Sequence, residues 1–254
     1  MVIGADSANS RVAKSIKARN YAFAIACQER IKLPEEKMAY YENLDKMYVG
    51  HDVSPDFYGW VFPKCDHVAV GTDTVCSKPD IKIYLNGLRK RPKINEGKVI
   101  KVEAHPISEH PRLVRVQGQV ALVGDTAGYV TKCSDEGIYF ATKSGWMCGE
   151  AMVRASKEGL RMINEGLRRE YLKKWDEMYF STFKVLDILQ RVFYGSDAAK
   201  EALVELCGKC NICHLIRLAE GNRWEDLKLL FSTIGVWFGV ILWEEKLRVW
   251  ARNY

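Results

Sequence analysis

The stretch from Gln119 to Gly145 constrains this chain more than any other. Val120-Ala121-Leu122-Val123 is a short continuous apolar run, the pattern of a strand buried on both faces, and it stops at Gly124-Asp125. A strand that ends in Gly-Asp presents a carboxylate at its carboxyl edge, where open α/β sheets bind ligands, and such a carboxylate can accept hydrogen bonds from sugar hydroxyls. Gly128 and Gly137 bracket the loop that follows, and Ile138 to Gly145 opens a helix with small residues at close spacing. The N–H groups at that helix start, near Gly137 and Ile138, suit an electron-rich, partly anionic ring edge. The plain alternative is a buried strand and helix joined by an acidic turn, since Gly-Asp turns occur in many folds.

Upstream, Met1 to Asp6 reads as a strand with a Gly-x-Asp turn, with neither a signal peptide nor an Arg- and Ser-rich segment before it. No G-x-G-x-x-G occurs in the chain, so the pyrophosphate cradle that dinucleotide-binding sheets carry at their first strand is missing, and the sequence reads as a C-terminal part of a longer protein. Tyr21 to Lys32 and Lys46 to Gly50 read as strands. Asp56 to Val70 is the clearest hairpin, with its turn at Lys64-Cys65-Asp66. Alternation places Tyr58, Trp60 and Phe62 on one face, an apolar wall that suits ordinary sheet packing as well as a ligand. Asp80 to Arg91 is expected to be a helix closed by positive charge, and Lys98 to Ala104 a strand. His105-Pro106 and His110-Pro111 are expected in a turn-rich loop, at a spacing that matches no metal site. Helices are expected over Gly145 to Lys157, Gly166 to Met178 and Phe183 to Tyr194, then from a cap at Ser196 to Cys207.

A net charge of +6 favours small acidic partners such as diphosphates, nucleotides or anionic lipid, and does not imply nucleic acid. The eight cysteines sit at irregular positions, several in apolar segments, as reduced buried thiols do rather than a disulfide framework. Cys210-x-x-Cys213-His214 fits a haem-attachment pattern, and with Cys207 a zinc or iron–sulfur set, but the other cysteines form no second pair and no metal is assigned. Leu229 to Trp243 is uncharged, shorter than the ~20 residues that cross a bilayer, and followed by Lys246, Arg248 and Arg252. Residues 229–252 therefore suit docking on a membrane surface or a membrane-protein partner, or burial against their own domain.

Gly124-Asp125-Thr126-Ala127-Gly128, followed by Glu136-Gly137-Ile138, resembles the second flavin-contacting motif of the flavoprotein hydroxylase-like superfamily, whose Asp holds the ribityl chain of FAD. Gly4 to Arg11 resembles that family's GADGxxSxxR motif near the FAD pyrophosphate, which brings in Asp6 and Arg11. Tyr58-x-Trp60-x-Phe62-Pro63-Lys64, followed by Val70-Gly71, resembles the signature of the geranylgeranyl reductases, where it lines the prenyl cavity. Glu103 to Leu113 is close to their EAHPIPEHPRP loop, and Val53 to Asp56 with Ala127 to Ser134 point to the plant and cyanobacterial subgroup.

The resemblance implies an α/β fold of mixed α+β character. It would be the C-terminal part of an FAD-binding hydroxylase-like fold, with a mixed or antiparallel substrate sheet and a helical C-terminal region. Residues 1–20 and 114–160 would be the remnant of the FAD-binding domain, 21–113 the substrate sheet, and 161–254 the helical region. It implies reduction of prenyl double bonds with FAD and NADPH, on a prenyl diphosphate or a prenylated chlorophyll, in a thylakoid-associated chloroplast protein. FAD would be held by Asp6, Arg11, Gly124, Asp125, Gly128, Gly137 and Ile138, and the prenyl chain by Tyr58, Trp60, Phe62, Pro63 and Lys64, with Lys64 equally suited to a plain exposed hairpin position. No proton donor is identified, since Cys133 and Tyr139 serve packing equally well.

Three departures stand out: Ser7 and Asp135 replace motif glycines, and Asp73 stands where relatives carry glycine after Gly71-Thr72. A positive φ at position 7 would strain serine by on the order of a kcal/mol. A carboxylate at position 135 would oppose the anionic edge of a flavin. The competing class is a non-catalytic homologue that binds a prenyl chain or a partner.

Overall fold

The computed structural model describes residues 1–18, 22–157 and 163–209. The Cys210-x-x-Cys213-His214 pattern and the apolar run with its basic flank lie outside the described residues. Residues 1–187 form one compact unit, and the described residues from 188 on belong to a second.

The chain opens with β1 (Val2–Gly4), α1 (Arg11–Ser15), β2 (Phe23–Lys32), α2 (Glu35–Tyr41) and β3 (Lys46–Val49). It continues through β4 (Tyr58–Pro63), β5 (Val68–Thr74), α3 (Ile81–Arg89), β6 (Lys98–Ser108), β7 (Val116–Gln117) and β8 (Val120–Leu122). The helices α4 (Gly124–Ala127), α5 (Ile138–Lys157), α6 (Ile163–Leu167), α7 (Lys174–Tyr194) and α8 (Asp197–Lys209) follow, and a π-helical stretch at Arg168–Lys173 joins α6 to α7.

Among these residues two sheets form. The smaller has the order β1-β8-β7, with β8 in the middle and parallel to β1. Its apolar run is buried as the sequence predicts, with Ala121 and Leu122 fully covered. The larger sheet is antiparallel throughout, in the order β3-β4-β5-β2-β6. The hairpin of β4 and β5 sets Trp60 opposite Gly71 and Val61 opposite Val70, and the Lys64 N–H donates to the His67 carbonyl across the turn at 2.8 Å.

Each sheet has its own core. Val61, Val68 and Val70 cluster with Ile81, Leu85 and Leu88 of α3, whose apolar residues recur at helical spacing. This leaves the other face of the large sheet to the aromatic rings. Around β8, Leu122 and Val116 cluster with Phe140 and Cys148 of α5 and with Tyr171, Trp175 and Tyr179. Tyr171 Oη donates to the Leu122 carbonyl at 2.7 Å, and the Arg115 guanidinium grips the Asp176 carboxylate at 2.7 and 3.0 Å.

Two expectations need correction. His105-Pro106 lies inside β6, which runs to Ser108, and not in a loop. The strand tolerates Pro106 because β6 is a sheet edge, where an N–H turned outward has no ladder partner to lose. The helices expected at 166–178 and 183–194 are one run, since residues 179–182 contain no glycine or proline to break it. Among the described cysteines, all free, Cys27 and Cys148 are buried but Cys65 and Cys76 are exposed. Burial pushes the Cys148 thiol up to about 12. Among the described residues no His, Cys, Asp and Glu side chains gather as a metal would need, and no helix is long and apolar enough to cross a membrane.

Candidate functional site

The rings of β4 form a continuous row. Tyr58 meets Trp60 edge-on with ring centroids 6.0 Å apart, and Trp60 stacks along Phe62 at 6.3 Å. Strand pleating alone puts these three on one face. Trp60 is then fixed twice, by donating from Nε1 to Gln28 Oε1 at 3.1 Å and by lying so close over Gly71 that a Cβ there would fall inside its indole. Pro63 pairs with Val68 at the end of the strand, and Lys64 is exposed at the hairpin tip. Tyr58 to Lys64 spans six residue steps, about 20 Å of strand.

Asp125 lies in the first turn of α4, directly after β8. Its carboxylate has no hydrogen-bond partner among the described residues, and Oδ1 lies 3.4 Å from where a Cβ on Gly137 would be. The corner is held by glycines for definite reasons. Gly124 has φ +53 and Gly128 φ +80, and a Cβ on Gly128 would collide with the His110 carbonyl. The Gly124 N–H donates to Ser144 Oγ at 2.9 Å, which ties α4 to α5. Ile138 opens α5 and is exposed, and the Tyr139 N–H is capped by Glu136 at 2.8 Å.

The loop over residues 131–137 joins the corner to the wall. Tyr58 Oη donates to the Ser134 carbonyl at 3.2 Å, while Gly137 at the other end of the loop borders Asp125. The loop closes on itself: the Asp135 N–H donates to the Thr131 carbonyl at 2.9 Å, and the Thr131 N–H to the Glu136 carbonyl at 3.0 Å. Burial, reinforced by the nearby carboxyls of Asp135 and Asp73, pushes the Tyr58 phenol well above its ordinary value, so it stays a neutral donor.

Asp6 and Arg11 are placed differently. Asp6 turns back on its own helix, accepting from Ser10 Oγ at 2.6 Å and from the N–H groups of Arg11 at 2.7 Å and Val12 at 3.3 Å. Slight burial works against its charge, but these hydrogen bonds outweigh it and hold the carboxyl below its usual value. The Arg11 side chain is exposed. Ser7 has φ 67 and Asp135 φ 56, so both replaced glycines do stand in left-handed backbone.

The structure also gathers an acidic group that local sequence patterns leave unassembled. Asp73 is 2% exposed and hydrogen-bonded to Asp135. Asp56 accepts from Thr74 Oγ1 and from the N–H groups of Val75 at 2.9 Å and Cys76 at 3.1 Å. Buried Glu109 meets Lys132 Nζ at 3.4 Å, and Lys132 reaches Asp187 at 2.6 Å. Their separation in the chain hid the group; the signal available was the pair of glycine positions taken by aspartate.

No family model matches the chain. It is 62% identical over 92% of its length to the chloroplastic geranylgeranyl diphosphate reductase of Nicotiana tabacum, and 55% identical over 92% to the geranylgeranyl diphosphate reductase of Synechocystis.

Over the part they share, the chain is a close homologue of the geranylgeranyl diphosphate reductases.

It spans about half the length of the plant reductases it matches, 52% of the tobacco protein and 60% of the Synechocystis one. Solved structures show the same fold at low identity. A flavin-dependent brominase variant superposes with a TM-score of 0.64 at 13% identity, over 92% of this chain and 62% of that one. A geranylgeranyl bacteriochlorophyll reductase-like protein from Thermoplasma acidophilum gives 0.55 at 18%, over 93% and 62%. Within the reductase family frame, the aromatic row and the Asp125 corner are the two parts of the candidate site, and the loop over 131–137 is the piece between them.

Proposed function

We propose that this chain provides the prenyl-binding wall and a flavin-facing corner of an FAD-dependent, NADPH-using reductase of prenyl double bonds. Geranylgeranyl would be converted to phytyl as the diphosphate or the chlorophyll ester. The observation that carries the reading is the loop over 131–137, which contacts Tyr58 at one end and borders Asp125 at the other. The names of the relatives supply the substrate class, and those from tobacco, Arabidopsis and rice are chloroplastic, which supports a chloroplast location. Docking of residues 229–252 on a thylakoid surface or a membrane protein belongs to the same proposal, on the strength of their tryptophans and basic flank.

The residues fit one side of FAD. A carboxylate at Asp125 with no competing partner among the described residues suits ribityl hydroxyls, and the amides of Gly137 and Ile138 open α5 toward a ring edge. They fit the diphosphate poorly at α1, where the carboxylate of Asp6 already engages the amides of Arg11 and Val12. When bound and reduced by NADPH, the flavin supplies a hydride. The chain's own part is to orient and to dry the alkene. An isolated double bond accepts hydride poorly, so it must be pressed against the donor with water excluded, and the row of Tyr58, Trp60 and Phe62 presents the apolar surface that does this. Lys64 at the outer end of the row suits a diphosphate head. Tyr139 Oη is engaged with Tyr179 Oη at 2.9 Å, so no proton donor is assigned to it.

Titrating the chain with FAD and then adding NADPH and geranylgeranyl diphosphate tests the reading. The expected result is a bound-flavin absorbance and a saturated prenyl product. Asp125→Ala should weaken FAD by roughly 10- to 100-fold, the worth of one or two charge-assisted hydrogen bonds, and leave thermal stability unchanged. A second reading, a prenyl- or partner-binding module without flavin, is favoured by the engaged amides of α1. Retention of geranylgeranyl diphosphate with no flavin absorbance would select it.

A further inference from the structure

Asp73 belongs to the ring-bearing face of the sheet. Trp60 stands opposite Gly71 and Phe62 opposite Ala69, so the alternate residues Ala69, Gly71 and Asp73 of β5 share the side of the aromatic row. Its neighbour across β2 is Ala26, too short to give it a partner. The carboxyl at this position is covered almost completely and meets Asp135, which comes from the loop ahead of α5 and hydrogen-bonds to it. Two carboxyl oxygens can hydrogen-bond only if one of the groups keeps a proton. Asp135 stands in left-handed backbone that its own N–H locks to Thr131, so its side chain is delivered to Asp73 by a closed turn and not by a free tether.

We propose that Asp73 and Asp135 form a proton-sharing clasp that pins the loop over 131–137 to the end of β5 and so sets the position of the Gly137 and Asp125 corner relative to the aromatic row. The pair is a positioning device. Asp56 from the segment before β4 and Glu109 just after β6 act on the charge it can hold, and Tyr58 of β4 faces the pair together with Glu136 and Cys133 of the loop. Lys132 of the same loop is engaged with Glu109 and Asp187. Burial is the main reason both carboxyls are raised, Asp135 to about 7. Loss of the shared proton leaves two carboxylates in contact among further acids, and the loop is the part that can yield.

Hydrogen–deuterium exchange of the 131–137 amides, followed from pH 6 to pH 8.5 and corrected for the intrinsic rate, tests the clasp. It needs neither flavin nor substrate, so its result stands whichever way the flavin titration falls. In the wild type, exchange should accelerate at least tenfold beyond the intrinsic change as the proton is lost. Asp135→Asn, which tolerates the left-handed backbone and keeps a donor for Asp73, should abolish that acceleration and stay slow throughout. Asp73→Ala removes the acceptor and should exchange fast at every pH. Equal pH dependence in the wild type and Asp135→Asn would overturn the proposal, as would slow exchange in a folded Asp73→Ala. Should Asp73→Ala fail to fold, Asp73→Asn replaces it, and slow exchange at every pH is the supporting result, while persistence of the wild-type acceleration overturns it.

Discussion

Left-handed backbone at single residues shapes the candidate site. Gly124 and Gly128 reverse the chain on either side of α4, so Asp125 is held between two positions that side chains rarely occupy. At Gly128 conformation and space act together, since a Cβ would meet the backbone carbonyl of His110, which cannot swing away as a side chain can. Gly128→Ala is therefore expected to cost about 3 kcal/mol, combining positive-φ strain with overpacking, measurable by urea unfolding. Ser7 and Asp135 occupy the same kind of backbone without being glycine. Ser7 gains only an exposed 3.3 Å contact to His105, whereas Asp135 gains the hydrogen bond to Asp73. Both strained positions thus carry a tertiary contact, an exposed one at Ser7 and, at Asp135, one to the covered carboxyl of Asp73.

At the level of elements, the small sheet depends on the helical run that follows α5. A three-stranded sheet with strands this short has little ladder to stabilise it. The stabilisation comes from Tyr171 bonding to Leu122, Tyr129 stacking on Trp175 with centroids 4.1 Å apart, and Arg115 gripping Asp176. Asp176→Ala would leave the largely buried Arg115 guanidinium with the Tyr129 hydroxyl at 3.1 Å as its remaining side-chain partner. The expected loss is about 2 kcal/mol, below the figure for a fully buried pair because the Asp176 carboxylate is partly open to solvent. Circular dichroism melts would show it, and unchanged melting would mean that aromatic packing alone seats the helix. The hairpin is different: β4 and β5 are braced by α3 on one side, which leaves the ring row as a surface that its own core does not use.

The whole molecule carries its titration signature in buried acids. Asp73, Asp135 and Glu109 are all raised above their ordinary values, chiefly by burial. A carboxyl raised in the fold contributes stability that is complete below about pH 4, its unfolded value. That contribution is lost as pH rises through the folded value, about 7 for Asp135. Unfolding free energy should therefore fall as pH rises from about 4 through about 7, and Asp135→Asn should flatten the slope in urea titrations. A slope of the opposite sign would mean that these carboxyls are ionised in the fold.

Short-range pattern determined much of this protein. A continuous apolar run can bury both faces only as an inner strand, alternating rings can share only one face of a hairpin, and Ser196 before Asp197 caps α8 through the Ala199 N–H at 3.1 Å. The short helices α1 and α2 gave too few turns to show a periodicity, and Pro106 disguised the end of an edge strand. What tertiary structure alone decided was which distant residues meet. Asp73 and Asp135 obey no common spacing, and Asp6 turned to its own helix while Asp125 was left open, because burial and hydrogen-bond partners are properties of the assembled core and not of any window along the chain.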